Sequence, residues 1–244
     1  MSHEVALLQG AVFISDAHEN ENRDSLEKYI DSVLNKSTKS PSQLFLMGDM
    51  FDLLVGEIEY SKLINQSLIE KIDSLAKKIP IFYIEGNHDF NLEKVFKNVH
   101  TIPFKKQPFR VQTPKGDLLI LHGDRFEGFK YRLYSKFIRS CVTLKVLNFL
   151  DKIFKYKISK KLLNFLGKKD ICKKWLDFED RAKKRLNDYP IKDVWGVIEG
   201  HFHQGVFLKL EKVNYFNLSS FACERSYFVV QCIQSMQCEI VKGQ

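Results

Sequence analysis

No two cysteines stand as a Cys-x-x-Cys pair, and the five present (Cys141, Cys172, Cys223, Cys232 and Cys238) are odd in number. Such spacing suggests neither a zinc ribbon nor a disulfide framework, and fits a chain kept reduced in the cytoplasm. No apolar run is long enough to span a bilayer. Met1-Ser2-His3-Glu4 shows no basic region leading into an apolar signal segment. Low-complexity tracts and sequence repeats are also missing. What remains is 244 residues, 44% hydrophobic and with 20 phenylalanines, enough for one large domain or for a domain carrying an insert.

The net charge of +8 is unevenly spread. Residues 126–190 hold 18 Lys or Arg against 7 Asp or Glu, so the rest of the chain is slightly acidic. Basicity concentrated in one segment points to an anionic partner such as nucleic acid, phospholipid headgroups or a phosphorylated substrate. The plainer reading is a solvated, lysine-rich helix surface.

One pattern recurs along the chain. Leu44-Phe45-Leu46-Met47 runs into Gly48-Asp49-Met50-Phe51-Asp52, which reads as a buried strand ending in a turn. Ala11 to Ser15 runs into Asp16-Ala17-His18, and Ile81 to Glu85 into Gly86-Asn87-His88-Asp89. Leu118 to Leu121 runs into His122-Gly123-Asp124, and Val194 to Glu199 into Gly200-His201-Phe202-His203. Five of the seven histidines stand at these ends, a rule that core histidines have no reason to follow and metal ligands do. Gly48 permits a sharp turn, which projects Asp49 from the carboxyl edge of the sheet, where open α/β sheets place ligands.

In chain order, residues 22–36 read as an amphipathic helix with Leu26, Ile30, Val33 and Leu34 on one face. Ser61 to Lys78 repeats the pattern, and Pro80 closes it. Two β-α-β crossovers predict a largely parallel sheet here. Asn91–Lys97 is a short helix. Phe109–Thr113 and Leu118–Leu121 flank a turn and form a hairpin. Short strands at 206–210, 215–218, 227–232 and 237–241 suggest an antiparallel second half. Residues 126–190 read as helical throughout, with breaks at Gly167 and Pro190, and as an insert between two parts of a core, 1–125 and 191–244. Its apolar stripe packs on the core or caps the site, and its basic, apolar faces could rest on an anionic membrane surface.

Aspartate, asparagine and histidine together suit Mn²⁺, Fe²⁺ or Zn²⁺. Seven such ligands exceed the needs of one ion with open positions and suit two divalent ions sharing a carboxylate, Asp49. The set Asp16-x-His18, Gly48-Asp49-x-x-Asp52, Gly86-Asn87-His88-Asp89, His122 and Gly200-His201-x-His203 resembles, in order, the motifs of the calcineurin-like metallophosphoesterases. The resemblance implies a four-layered α/β/β/α sandwich. It also implies one metal held by Asp16, His18, Asp49 and His203, and a second held by Asp49, Asn87, His122 and His201. His88 would then act as the catalytic residue over the reacting phosphate, with Asp52 and Asp89 orienting it and the ligands.

Within that superfamily the chain is most similar to the UDP-2,3-diacylglucosamine pyrophosphohydrolases of lipid A biosynthesis. The similarity rests on Leu119 to Asp124, on Phe90, and on the basic helical insert. It implies a lipid-linked nucleotide-sugar substrate, Mn²⁺ as the metal, and a cytoplasmic enzyme peripheral to the inner face of the inner membrane. Arg125, Lys168, Lys169 and Lys173 are then phosphate-facing candidates, with the acyl tails along Leu147, Leu150 and Phe154. An alternative keeps the metals and changes the substrate to nucleic acid or nucleotides. The aliphatic, helically spaced character of the insert favours tails over stacked bases.

Overall fold

Val12–Ile14, Leu44–Leu46 and Ile81–Ile84 are strands buried on both faces, which is why their sequences show no polar alternation. In this computed structural model, which describes residues 5–126, 128–210 and 213–242, they lie side by side in parallel. Met1 to Glu4, read above for a targeting signal, lie outside the described residues. The sheet has six strands in the order Gln237–Lys242, Ser226–Cys232, Val12–Ile14, Leu44–Leu46, Ile81–Ile84, His100–Ile102. Strand periodicity sends Phe13, Phe45 and Phe82 inward, where their rings stack at 4.5 and 4.9 Å. Val12, Ile14, Leu44, Leu46, Ile81 and Tyr83 face outward onto helices Ser25–Leu34 and Gln66–Ala76, meeting Leu26, Ile30, Leu68 and Ile72.

The second six-stranded sheet runs Val5–Ala6, Phe109–Thr113, Gly116–Leu121, Val194–Glu199, Asn214–Asn217, Val206–Lys209. Leu118, Ile120 and Ile198 meet the phenylalanines of the first sheet. Leu119, Leu121, Val197 and Tyr215 pack on Phe178, Ala182 and Leu186 of helix Phe178–Leu186. Helix, sheet, sheet and helix make the expected four layers. Each fully buried Leu, Ile or Phe contributes roughly 1.5–3 kcal/mol, so the three apolar interfaces dominate stability.

Several expectations need correction. The stretch 61–78 is two helices, Glu59–Ile64 and Gln66–Ala76, broken at Asn65, whose side-chain amide donates to the carbonyls of Leu53 and Ser61. The short helix placed at 91–97 is a single 3₁₀ turn, Leu92–Lys94. The second half of the chain is not purely antiparallel. Val194–Glu199 pairs in parallel with both Gly116–Leu121 and Asn214–Asn217, because strand Val206–Lys209 goes to the sheet edge and its hairpin partner takes the inner place.

Residues 126–190 are not helical throughout. Helices Phe129–Ile138, Cys141–Ile153 and Lys157–Leu166 are followed by residues 167–177 without helix. That segment is tied to the core instead. Trp175 N donates to Gln204 Oε1 (2.7 Å), and Cys172 is bonded to Cys223. The cysteine reading therefore fails at one pair, whose members lie 51 residues apart and meet only in the folded chain. Leu144 and Leu166 seat the helices on Leu53, Val55, Ile58 and Phe90, around a two-stranded parallel ladder of Leu54–Val55 and Asp89–Phe90.

Candidate metal centre

Parallel register puts Ile14 beside Leu46, and Leu46 beside Tyr83. The loops that follow, carrying Asp16, His18, Asp49 and Asn87, therefore leave the first sheet at one edge. In the second sheet Leu121 pairs with Glu199, which brings His122 and His201 to its matching edge. Asp16, His18, Asp49, His201 and His203 all hold left-handed backbone, with φ between 47° and 64°. Each such non-glycine residue costs on the order of 1–3 kcal/mol and persists only where its surroundings over-determine it, a pattern typical of functional sites. Gly48 (φ 88°) and Gly86 do the complementary work: a Cβ on the first would strike the His122 ring, and one on the second the Asp49 carboxylate.

The side chains then form two adjoining clusters. Asp16, His18 and His203 offer atoms within 4.8 Å of one another, as do Asp49, His122 and His201. Asn87 joins the second, its Oδ1 lying 3.2 Å from His122 Nε2. Asp49 also groups with His18 and His88 within the same distance, so it stands where the clusters meet. His122 Nδ1 donates to Met47 O (2.9 Å), His203 Nδ1 to Ile171 O (2.5 Å) and His88 Nδ1 to Asp52 O (2.8 Å). A carbonyl on Nδ1 sets the tautomer and leaves Nε2 for a ligand, as metal-bound histidines require.

Charge follows the same plan. Burial opposes ionisation at Asp49, yet His122, His88 and His18 hold its carboxyl well below the usual range. Burial also opposes the charged form of His122, but Asp49 overrides it and lifts the imidazole well above its ordinary value. His201, buried and facing His122, falls to about 4. Burial lowers His88 as well.

These residues fit a pair of divalent cations. Both ring nitrogens of His18 are buried and make no hydrogen bond, although Nδ1 lies 3.3 Å from Asp52 Oδ1. Buried polar atoms left so are exceptional unless a ligand takes them. Carboxylate, amide and imidazole donors are what Mn²⁺, Fe²⁺ or Zn²⁺ prefer.

A family model for calcineurin-like phosphoesterases matches residues 11–205. The chain belongs to this family. It is accordingly a metal-dependent hydrolase of phosphoric esters or anhydrides, and the family implies divalent metal ions. A UDP-2,3-diacylglucosamine hydrolase from Pseudomonas syringae pv. tomato is 27% identical over 221 residues, covering 82% of each chain. One from Coxiella burnetii (strain RSA 331) is 23% identical over 189 residues, 77% of this chain and 72% of its own. An archaeal phosphodiesterase of solved structure aligns with 95% of this chain and 98% of its own, at 12% identity and a TM-score of 0.46.

Around this phosphoesterase's centre, Asp52 accepts from Arg23 Nη2 (2.7 Å) and Asn20 Nδ2 (2.5 Å) through its carboxylate, and from His88 through its carbonyl. Asp89 accepts from Asp49 N, Met50 N, Gly86 N and Tyr83 Oη, which pins the Asp49 loop to the Asn87 loop. The four basic candidates are scattered. Lys169 lines an apolar cavity that also includes Asn87 and His88. Lys168 lines a separate cleft with Glu19, Asn20, Arg23 and Asp52. Arg125 donates to the carbonyls of Phe104 and Lys105, and Lys173 is exposed beside Cys172.

Sequence reasoning missed Arg139. Its Nη2 donates to Gly86 O and Asp124 Oδ2 (both 2.9 Å), its guanidinium lies over Phe90 and Phe104, and it lines the same cavity. Nothing in its helical surroundings distinguishes it from its basic neighbours. Of the three residues expected along the tails, Leu147 lines the cavity, while Leu150 and Phe154 are exposed and do not.

Proposed function

We propose that this phosphoesterase cleaves the pyrophosphate of UDP-2,3-diacylglucosamine to UMP and 2,3-diacylglucosamine 1-phosphate, in lipid A biosynthesis. The observation that carries this is the apolar cavity, about 430 Å³, which runs from Asn87 and His88 between Leu53, Ile58 and Phe90 of the core and Leu144, Leu147 and Leu162 of the helices. That volume falls within the usual range for small-molecule sites. Eight buried methylenes, at about 0.8 kcal/mol each, contribute about 6 kcal/mol to holding an acyl chain there.

Asp16, His18, Asp49 and His203 would hold one ion, and Asp49, Asn87, His122 and His201 the other. Two such ions supply Lewis-acid polarisation of the phosphoryl oxygens and an activated water. His88 is neutral in the free protein because it is buried. A phosphate arriving beside it favours the charged imidazole, whose Nε2–H then faces the leaving oxygen. Lys169, in the cavity wall, would offset the charge of the sugar phosphate. Mass analysis of the reaction with UDP-2,3-diacylglucosamine tests the reading. UMP and the acylated sugar 1-phosphate are expected; UDP with free diacylglucosamine, or no turnover, would overturn it.

We also propose that the enzyme works in the cytoplasm against the inner membrane, with nucleic acid not its partner. Val146, Phe149, Ile153 and Phe165 are exposed on helices Cys141–Ile153 and Lys157–Leu166, with Phe154 exposed just after the first, among Lys145, Lys152, Lys157 and Lys161. Apolar residues edged by lysine suit an anionic bilayer surface. No helix among the described residues is long and apolar enough to cross a membrane.

A further inference from the structure

The bridge between Cys172 and Cys223 joins the segment leaving the helices to the short helix Phe221–Glu224. Both of its ends stand beside the metal centre. Ile171, one residue before Cys172, supplies the carbonyl that accepts from His203 Nδ1. On the core side, Phe221 N and Ala222 N donate to the carbonyls of Ser15 and Asp16. The segment is stitched to the same place by side chains. Lys174 Nζ donates to the carbonyls of His203 (2.7 Å) and Gln204 (3.1 Å) and pairs with Glu224 (2.7 Å), while Gln204 Nε2 donates to Lys173 O (3.1 Å).

The Lys174 bonds to His203 O and to Glu224 lie at the surface, where hydrogen bonds and ion pairs exchange readily with water, and the others are part-buried or buried. Residues 167–177 have no helix to stiffen them. The covalent bond at Cys172 is the anchor next to the Ile171 carbonyl, one residue away, while Lys174 and Trp175 tie the segment further along. Cys172 is exposed and Cys223 half-buried, so a thiol can reach the bond. Disulfides in a reducing compartment are mostly transient and sensing rather than permanent staples.

We infer that the Cys172–Cys223 bridge is a positioning device for His203, and that its reduction weakens the metal position that His203 helps to form. The reductant is a dithiol. One of its thiolates attacks a bridge sulfur, the other closes the mixed disulfide, and the protein gains two electrons and two protons as Cys172 and Cys223 become thiols. The Ile171 carbonyl is then no longer held on His203 Nδ1, and the imidazole loses its fixed tautomer and orientation. The inference rests on placing His203 at a metal, and not on the identity of the substrate.

The test compares the oxidised protein, the protein reduced by a dithiol that is then removed anaerobically, and the Cys172→Ser/Cys223→Ser variant. Thiols are counted, Mn²⁺ content after gel filtration is measured, and Mn²⁺ affinity is found by chelator competition. The oxidised form is expected to hold two ions per chain. The reduced form and the variant should each hold one of them on the order of 10-fold or more weakly, the range seen when such a histidine partner is lost. The other ion and the far-ultraviolet circular dichroism should change little, reoxidation should restore the reduced protein, and dithiol should add nothing to the variant. Equal affinity for both ions in all three forms overturns the inference, as does a count of five free thiols in the oxidised protein. Equal weakening of both ions would mean a general loosening and also overturn it. An oxidised form that binds no ion would remove the metal reading beneath it.

Discussion

The strand-end centre and the helices over it place their polar and apolar atoms in opposite ways. At the centre Asp16, His18, Asp49 and His122 are buried, the first three in left-handed backbone. On the helices Phe149, Ile153 and Phe165 are more than half exposed, with lysines between them. Charge is buried at the strand ends, and apolar surface is exposed on the helices. The first region depends on the position of single atoms, the second on composition and shape. Substitutions should therefore act sharply in one and gradually in the other.

The largest effect is expected at Asp49. Asp49→Ala removes the carboxylate shared by the two clusters, and with it several kcal/mol of transition-state stabilisation, so activity should fall by about 10³-fold or more. Metal analysis should show both positions depleted. Retention of two ions per chain would break the claim that one carboxylate serves both.

Next comes His88. His88→Ala should lower kcat by roughly 10²–10⁴-fold with metal content and KM little changed. Since His88 also lies within 4.8 Å of His18 and Asp49 as part of a possible ligand group, loss of an ion would show it to be a ligand instead.

A smaller effect should separate the inner and outer faces of the helices. Leu147→Asp, in the cavity wall, forfeits roughly 1.5–3 kcal/mol of apolar contact, which lowers kcat/KM for the diacylated substrate about 10- to 100-fold. Val146→Asp, on the outer face, should leave turnover in detergent unchanged and weaken binding to anionic vesicles. Equal effects of the two on turnover would erase the distinction between cavity and surface.

The smallest is a proton count. Without metal, Asp49 raises His122 well above its ordinary value, so the imidazole is charged at neutral pH. A metal ligand must be neutral. Binding should therefore release a proton from His122 below its raised value, and the release should fade as pH climbs through that value. Titration calorimetry in buffers of differing ionisation enthalpy measures this; no proton release at pH 7 would contradict the pairing.

The contrast also explains what could be read in advance. Asp16, His18, Asp49, Asn87, His122, His201 and His203 were legible because each follows an apolar strand, and strand ends in parallel register converge. The four layers were implied by the resemblance that these strand-end motifs carry to the calcineurin-like phosphoesterases. Arg139 was not legible, since one arginine in a basic helix carries no mark of the Gly86 carbonyl and Asp124 carboxylate that it meets. Leu150 and Phe154 share the helical spacing of Leu147, but packing turns only Leu147 into the cavity. The Cys172–Cys223 pair joins segments whose approach is a product of the whole fold.

Substrate choice is where the cavity beside His88 is tested most directly. Steady-state kcat/KM should be measured for UDP-2,3-diacylglucosamine, for analogues with progressively shorter acyl chains, for UDP-glucosamine and for single-stranded DNA, in one detergent and with Mn²⁺. If the cavity beside His88 takes an acyl chain, efficiency should fall steadily with each pair of methylenes removed, about 10-fold per pair at about 0.8 kcal/mol each. UDP-glucosamine or DNA hydrolysed as efficiently as the diacylated compound would contradict it.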